Sequence, residues 1–211
     1  MPLKHKDTKS HKSLIPGRMP LVYLSVFVFL WQSTSSLAQE PEEIQFLFTQ
    51  TDTSYTFDGS FKLVADPECL LAICFNPDDL IKLAPDAKGV TLTGQGDNWN
   101  QLRYTYRKFL FFENTTLWQR QLDEEKLRVD FSLVRSENNR SVMPEVRSSS
   151  GFYQINPEND HVLVEYYQSC IISNVSLSGF YIDSMKKEAI RFLLRFLEYA
   201  HDHCKSEQSG N

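Results

Sequence analysis

Basic residues, histidine and glycine-rich motifs are all scarce in this sequence, and each scarcity removes a class of function. Lys plus Arg number 22 against 27 Asp plus Glu, a formal charge of −5. A general nucleic-acid binder needs a basic surface to neutralise phosphates, so that class is excluded. Five His in 211 residues leave little imidazole for acid–base or metal chemistry. The eight Gly form neither G-x-x-x-x-G-K-[ST] nor G-x-G-x-x-G, the phosphate-cradling fingerprints. The nucleophile elbow G-x-S-x-G is missing too. Ser148-Ser149-Ser150-Gly151 carries no nucleophile pattern, Gly94-Gln95-Gly96-Asp97 reads as a turn, and Glu124-Glu125 reads as a solvated hairpin tip. What the chain does have is apolar bulk: 41% hydrophobic residues and 13% aromatic ones, with 15 Phe and 9 Tyr. That supply suits a folded core, in one ordinary domain or at most two small ones.

Residues 1–38 read as an address. Lys4, Lys6, Lys9, Lys12 and Arg18 face a single acid, Asp7, and an apolar run follows from Leu21 to Trp31. A basic segment, an apolar segment and a small-x-small end at Ser36-Leu37-Ala38 describe a secretory signal peptide. The run is too short for the roughly 20 residues that cross a bilayer as a helix. Cleavage after Ala38 is expected, with retention as a signal anchor the alternative. No second hydrophobic span follows, so an exported protein, periplasmic or secreted, is predicted. The first 38 residues hold five of the 22 basic residues and one of the 27 acidic ones. The remainder therefore carries 17 against 26, a net −9, and keeps His161, His201 and His203.

Four cysteines remain, Cys69, Cys74, Cys170 and Cys204. In an oxidising compartment they allow up to two disulfides in three connectivities. Cys69 and Cys74 share one predicted helix and are too far apart to bridge each other, so each needs a distant partner or stays a buried thiol. Asn114-Thr115-Thr116, Asn139-Arg140-Ser141 and Asn174-Val175-Ser176 match the N-glycosylation acceptor pattern. His201-Asp202-His203-Cys204 has metal-ligating residue types, but His201 and His203 point apart on a helix. A fraying helix end or a disulfide at Cys204 is the better reading. No metal and no cofactor are expected.

Residues 39–53 are polar and acidic apart from Ile44, Phe46, Leu47 and Phe48, and read as a polar N-terminal arm or an edge strand. Ser54–Ala65 alternates apolar and polar residues as a half-buried strand does. Asp66-Pro67-Glu68 then starts a helix, with Asp as N-cap and Pro at the first helical position. Asn76-Pro77 ends it, and a second short helix runs to Leu83 before Pro85. Strands follow at Val90–Thr93, Gln101–Glu113, Thr115–Asp123, Lys126–Arg135, 145–155 and 161–172, with a turn at Glu113-Asn114 and another at Asn156–Asp160. From Asp183 to His203 the apolar residues cover roughly 220° of a helix surface at 100° per residue. An arc that wide predicts a helix wrapped on several sides by a curved sheet.

This order of elements resembles the helix-grip fold of the START-like (polyketide cyclase/dehydrase and lipid-transport) superfamily. The resembling stretches are FDGSFKLVADPECLLAICFNPDDLIKLAPD (57–86), GFYQINPENDHVLVEYY (151–167) and KKEAIRFLLRFLEYA (186–200). The resemblance implies an α+β domain over 54–205. An antiparallel seven-stranded curved sheet would grip the long C-terminal helix, with two short helices after the first strand and an apolar cavity between sheet and helix. Residues 206–211 are left as a disordered tail. In such folds the short helices lie beneath the end of the long helix, which implies a disulfide from Cys69 or Cys74 to Cys204 and a free Cys170.

Aromatic residues on the strands are the candidate ligand contacts, because Tyr and Trp pair a large apolar body with a hydrogen-bonding tip. They are Tyr104, Tyr106, Trp118, Phe131, Phe152 and Tyr166, joined by Phe192 and Phe196 of the last helix. Arg103, Arg107 and Arg120 are candidates to orient an acidic head group, with Arg120 the choice among them. No constellation qualifies as a catalytic centre. The expected function is binding of a hydrophobic small molecule or lipid, with transient membrane contact. The alternatives are a cyclase- or hydrolase-like enzyme using the same cavity, or a ligand-free envelope interaction module.

Overall fold

The computed structural model describes residues 44–84, 87–108, 112–139, 144–173 and 178–204. The predicted signal peptide, residues 39–43, Pro85, the sequon at Asn174 and the tail 206–211 lie outside these. Eight strands, β1 (Gln45–Gln50), β2 (Ser54–Leu63), β3 (Ala87–Gln95), β4 (Trp99–Lys108), β5 (Phe112–Asp123), β6 (Arg128–Asn138), β7 (Val146–Pro157) and β8 (Val162–Ile172), form one antiparallel sheet in the order β1-β2-β8-β7-β6-β5-β4-β3. Helices α1 (Pro67–Phe75) and α2 (Pro77–Leu83) follow β2, and α3 (Ser178–His203) ends the chain's described part. The curved sheet and the C-terminal helix make a helix-grip arrangement. Among the described residues no helix is long and apolar enough to cross a membrane.

The eighth strand is β1, from the segment read as an arm or an edge strand. Its backbone pairs with β2 from Gln45↔Ser60 to Gln50↔Tyr55, and Phe48 stacks on Tyr55 with ring centroids 5.4 Å apart. Backbone pairing holds it more than burial does, since Leu47 stays 66% exposed. In β2 the alternation is strict: Tyr55, Phe57, Gly59, Phe61 and Leu63 are buried while the residues between them are not. Gly59 shares that inner face, and a Cβ there would lie 2.4 Å from Leu193 Cδ1. Glycine at this position lets α3 sit close against β2.

Asp66 caps α1 as its sequence predicts, accepting from the backbone N–H groups of Glu68 (3.4 Å) and Cys69 (3.3 Å). Asn76 closes α1 with its own N–H on Ala72 O (2.7 Å) and opens α2 by accepting from Asp78 N (3.0 Å). Orphan helix-end groups are thereby satisfied at both junctions. Asp66→Ala is expected to cost about 1 kcal/mol, measured as a lower urea midpoint with an unchanged slope.

Two sequence expectations need correction here. Glu113 and Asn114 do not turn the chain; they pair with Arg107 and Tyr106 inside the β4–β5 ladder, which continues past them to Lys108↔Phe112. Glu-Asn is common in turns, but ladder register decides. Helix α3 begins at Ser178, five residues before the predicted start, because Ile182 is buried against Tyr55, Val146, Cys170 and Ile172. Tertiary packing there outweighs a weakly helical Ser-Gly-Phe opening. The helix is also wrapped less than its apolar arc predicts. Ile182, Leu193, Phe196 and Ala200 are fully buried within a stripe of roughly 60° at 100° per residue, whereas Leu194 is 53% exposed.

A disulfide joins Cys69 to Cys204, 135 residues apart in sequence, and Cys74 and Cys170 are free and buried. Beside it the Asp66 N–H donates to the Cys204 carbonyl at 3.3 Å. The start of α1 is thus fastened to the end of α3. At the far side of the sheet the β6–β7 ladder stops at Ser132↔Ser150. Bulges at Leu117/Trp118 against β6 and at Val146/Ser148 on β7 bend the strands apart at that level.

Candidate functional site

Strand alternation sends every second side chain of β4–β8 toward α3. Where these chains stop short of the helix, a cavity of about 460 Å3 remains, walled by β4–β8, α2 and α3 from Phe180 to Arg195, with Tyr55 of β2. Tyr104 and Tyr106, two apart on β4, lie on its wall with parallel rings 6.0 Å apart. Trp118 and Arg120, two apart on β5, lie beside them. Trp118 meets Phe131 edge to face at 5.9 Å, and Phe131 contacts Tyr153 (5.3 Å) and Tyr166 (5.8 Å). Phe192 closes the cluster from α3, 5.3 Å from Tyr166. Gly151 faces the same interior, where a Cβ would be 2.0 Å from Tyr167 O and 2.5 Å from Phe131 Cζ. Its missing side chain gives the Phe131 ring its place.

Most polar groups on the wall have partners. Tyr166 Oη donates to Gln168 Oε1 (2.9 Å), Gln168 Nε2 to Ser149 Oγ (3.1 Å), and Ser149 Oγ to the Ser169 carbonyl (2.8 Å). Trp118 Nε1 donates to Thr116 Oγ1 (2.9 Å), and Asn114 Nδ2 to Asn138 Oδ1 (2.6 Å). Asn114, the first residue of a predicted glycosylation sequon, is therefore a hydrogen-bonded wall residue. Arg120 is different. It is 6% exposed, its Nη2 donates to Tyr104 Oη (2.8 Å), and its buried Nε and Nη1 have no acceptor among the described residues. Burial pushes the phenols of Tyr106, Tyr153 and Tyr166 above their ordinary range, with the Arg120 charge opposing. They act as neutral groups. No His lines the cavity among the described residues, and its one carboxylate, Glu188, pairs with Arg191 at 2.9 Å.

Of the residues singled out in the sequence, Tyr104, Tyr106, Trp118, Arg120, Phe131, Tyr166 and Phe192 come together on this wall. Phe152 does not. It lies on the other face, stacked on Tyr167 (5.5 Å) with the Arg128 guanidinium 3.8 Å from its ring centre. Its neighbour Tyr153 points inward, so alternation turns Phe152 out. Phe196 is also off the wall: it is fully buried against Phe61 (5.4 Å) and Tyr153 (6.1 Å) and belongs to the core. Among the arginines, Arg103 is exposed, and the side chain of Arg107 lies outside the described residues. Cys204 is occupied by its disulfide, which removes the thiolate from the His-Asp-His-Cys segment. Wall residues that the sequence did not single out include Tyr55 and Tyr181. Strand parity with Phe57 signals the first, whereas Tyr181 precedes the apolar period predicted for α3.

No family model and no curated protein matches the sequence. Solved structures do match. A STAR-related lipid transfer protein from Xanthomonas axonopodis is similar at a TM-score of 0.60 and 13% identity, over 79% of this chain and 98% of that one. The Zhui aromatase/cyclase from Streptomyces is similar at 0.57 and 12%, over 75% and 99%. A START superfamily protein from Mycobacterium smegmatis is similar at 0.54 and 12%, over 70% and 97%. Identities this low establish likeness of fold. The chain has the helix-grip fold of the START-like (polyketide cyclase/dehydrase and lipid-transport) superfamily.

Proposed function

We propose that this protein is an exported carrier that binds a hydrophobic small molecule or lipid between the sheet and α3. The observation that carries the reading is the cavity of about 460 Å3, walled mainly by aromatic and aliphatic side chains with polar ones interspersed. Its size and lining match those of small-molecule sites. Affinity comes from apolar ligand surface leaving water, worth about 25 cal/mol per Å2. Export is supported by the basic–apolar–small pattern of residues 1–38 and by the Cys69–Cys204 disulfide, which suits an oxidising compartment. Phe180, 63% exposed in the first turn of α3 and on the cavity's edge, is suited to transient contact with a membrane. Acid–base catalysis in the same cavity needs two convergent titratable groups; the wall offers Glu188, already ion-paired, and no His among the described residues.

Native mass spectrometry of the purified mature chain, repeated after organic extraction, tests this. A bound apolar adduct that extraction removes is expected. A bare chain that also fails to take up added fatty acids or aromatic acids and their esters would overturn the carrier reading.

A further inference from the structure

The strongest unexplained feature of the cavity is its buried cation, and the inference drawn from it rests on the carrier reading. We propose that the ligand is a monoanion, an apolar molecule with a single carboxylate, and that Arg120 is the residue that holds that carboxylate.

Arg120 belongs to the cavity wall and is almost wholly removed from water. A guanidinium carries five N–H donors and stays charged at every accessible pH. One of those donors reaches Tyr104 Oη, while Nε and Nη1, both buried, reach no acceptor among the described residues. Arg120 takes part in no ion pair among the described residues, and Tyr104 offers it a neutral hydroxyl and a ring face 5.6 Å away. An unpaired buried charge is costly, and so are unsatisfied buried donors. Neighbouring groups do not neutralise it from within. Burial keeps the phenols of Tyr106, Tyr153 and Tyr166 and the thiol of Cys74 protonated by raising them well above their ordinary values. Glu188, on α3, is committed to Arg191.

The missing counter-charge therefore arrives with the ligand. A planar fork of N–H donors matches a carboxylate in shape, and the match is charge-assisted. The single charge of Arg120 is matched by the single charge of a carboxylate; Arg195, on α3, borders the same cavity from the helix side. Trp118, Phe131, Tyr166 and Phe192 then receive the apolar remainder of the molecule.

Paired ligands separate this proposal from the carrier reading beneath it. Dodecanoic acid and its methyl ester, and 2-naphthoic acid and its methyl ester, are titrated calorimetrically into the delipidated mature protein and into Arg120→Met. Each acid is expected to bind the wild type roughly 10- to 100-fold more tightly than its ester, the worth of hydrogen bonds to a charged group. In Arg120→Met that preference is expected to disappear, each acid binding within about twofold of its own ester. Removing a buried charge in favour of an apolar side chain generally preserves folding, and circular dichroism checks it. The thermal shift of the wild type by acid against ester gives the same comparison without any variant. Equal binding of acid and ester by the wild type overturns the monoanion proposal and leaves the carrier reading standing. An acid preference that survives in folded Arg120→Met overturns Arg120 as the anchor. Binding of none of the four compounds removes both.

Discussion

Phe196→Ala should lower the unfolding free energy by about 3–5 kcal/mol, the range for deleting a fully buried aromatic ring. Phe196 is inaccessible to solvent and packs edge to face on Phe61 of β2 and on Tyr153 of β7. It therefore couples α3 to two strands that are not neighbours in the sheet. Its removal forfeits the transfer free energy of the ring and leaves a hole that α3, held at its C-terminal end by the disulfide, closes only in part. For a domain of this size the loss corresponds to a fall in melting temperature of about 6–20 °C. Phe192, one turn away, is half-buried and already borders the cavity. Phe192→Ala is expected to cost about half as much or less, because less packed surface is lost, and to enlarge the binding space instead. Urea melts of the two variants compare them directly. A Phe196→Ala loss below about 1 kcal/mol would mean that the grip of sheet on helix does not depend on this contact.

The same contrast between Phe192 and Phe196 explains how far the sequence can be read. Helix periodicity places both on the apolar side of α3, but periodicity cannot tell a ring that fills the core from one that borders a void. Local chemistry is the most legible part. Asp66-Pro67 and Asn76-Pro77 name their caps because the geometry of a helix start is decided within three residues. Strand faces are legible wherever apolar residues are spaced by two, as in β2. They become ambiguous at doublets such as Phe152-Tyr153 and Tyr166-Tyr167, where either member could face inward. Cross-strand register resolves them: Tyr153 pairs with Tyr166 and Phe152 with Tyr167, so one pair faces the cavity and the other faces out. Register is set by partners far away in sequence, so it is not written in the doublet itself. Strand β1 was ambiguous for the same reason, since its few apolar residues become a strand through pairing with β2. For Arg120, residue type and parity with Trp118 are legible beforehand; that Nε and Nη1 lack acceptors among the described residues is a property of the folded wall alone.

Breaking the Cys69–Cys204 disulfide is expected to cost about 2–5 kcal/mol. The bond closes a loop spanning 135 residues, nearly all of the described fold. Constraint of the unfolded chain over a loop of that length is worth about 5 kcal/mol by chain entropy, which sets the upper end. The lower end allows for the unfolded chain's residual structure. The native contacts around the bond are local: Cys204 N donates to Ala200 O at 2.8 Å and Cys204 O accepts from Asp66 N at 3.3 Å. These hydrogen bonds survive only while α1 and the end of α3 stay together, so loss of the bond should also loosen the last turn of α3. The double variant Cys69→Ala/Cys204→Ala avoids leaving a stray thiol, and its melting temperature should fall by about 4–20 °C. Reductant added to the wild type should reproduce the fall and leave the variant unchanged. Movement of less than about 2 °C in both experiments would show that packing alone joins α1 to α3. Thiol counting in denaturant reads the state of the bond directly. Two reactive thiols, from Cys74 and Cys170, mark the intact staple, and four mark its absence. The proposed export makes a further demand on that count: two in chain recovered from an oxidising compartment, and four in chain trapped in the cytosol, where glutathione keeps such bonds reduced.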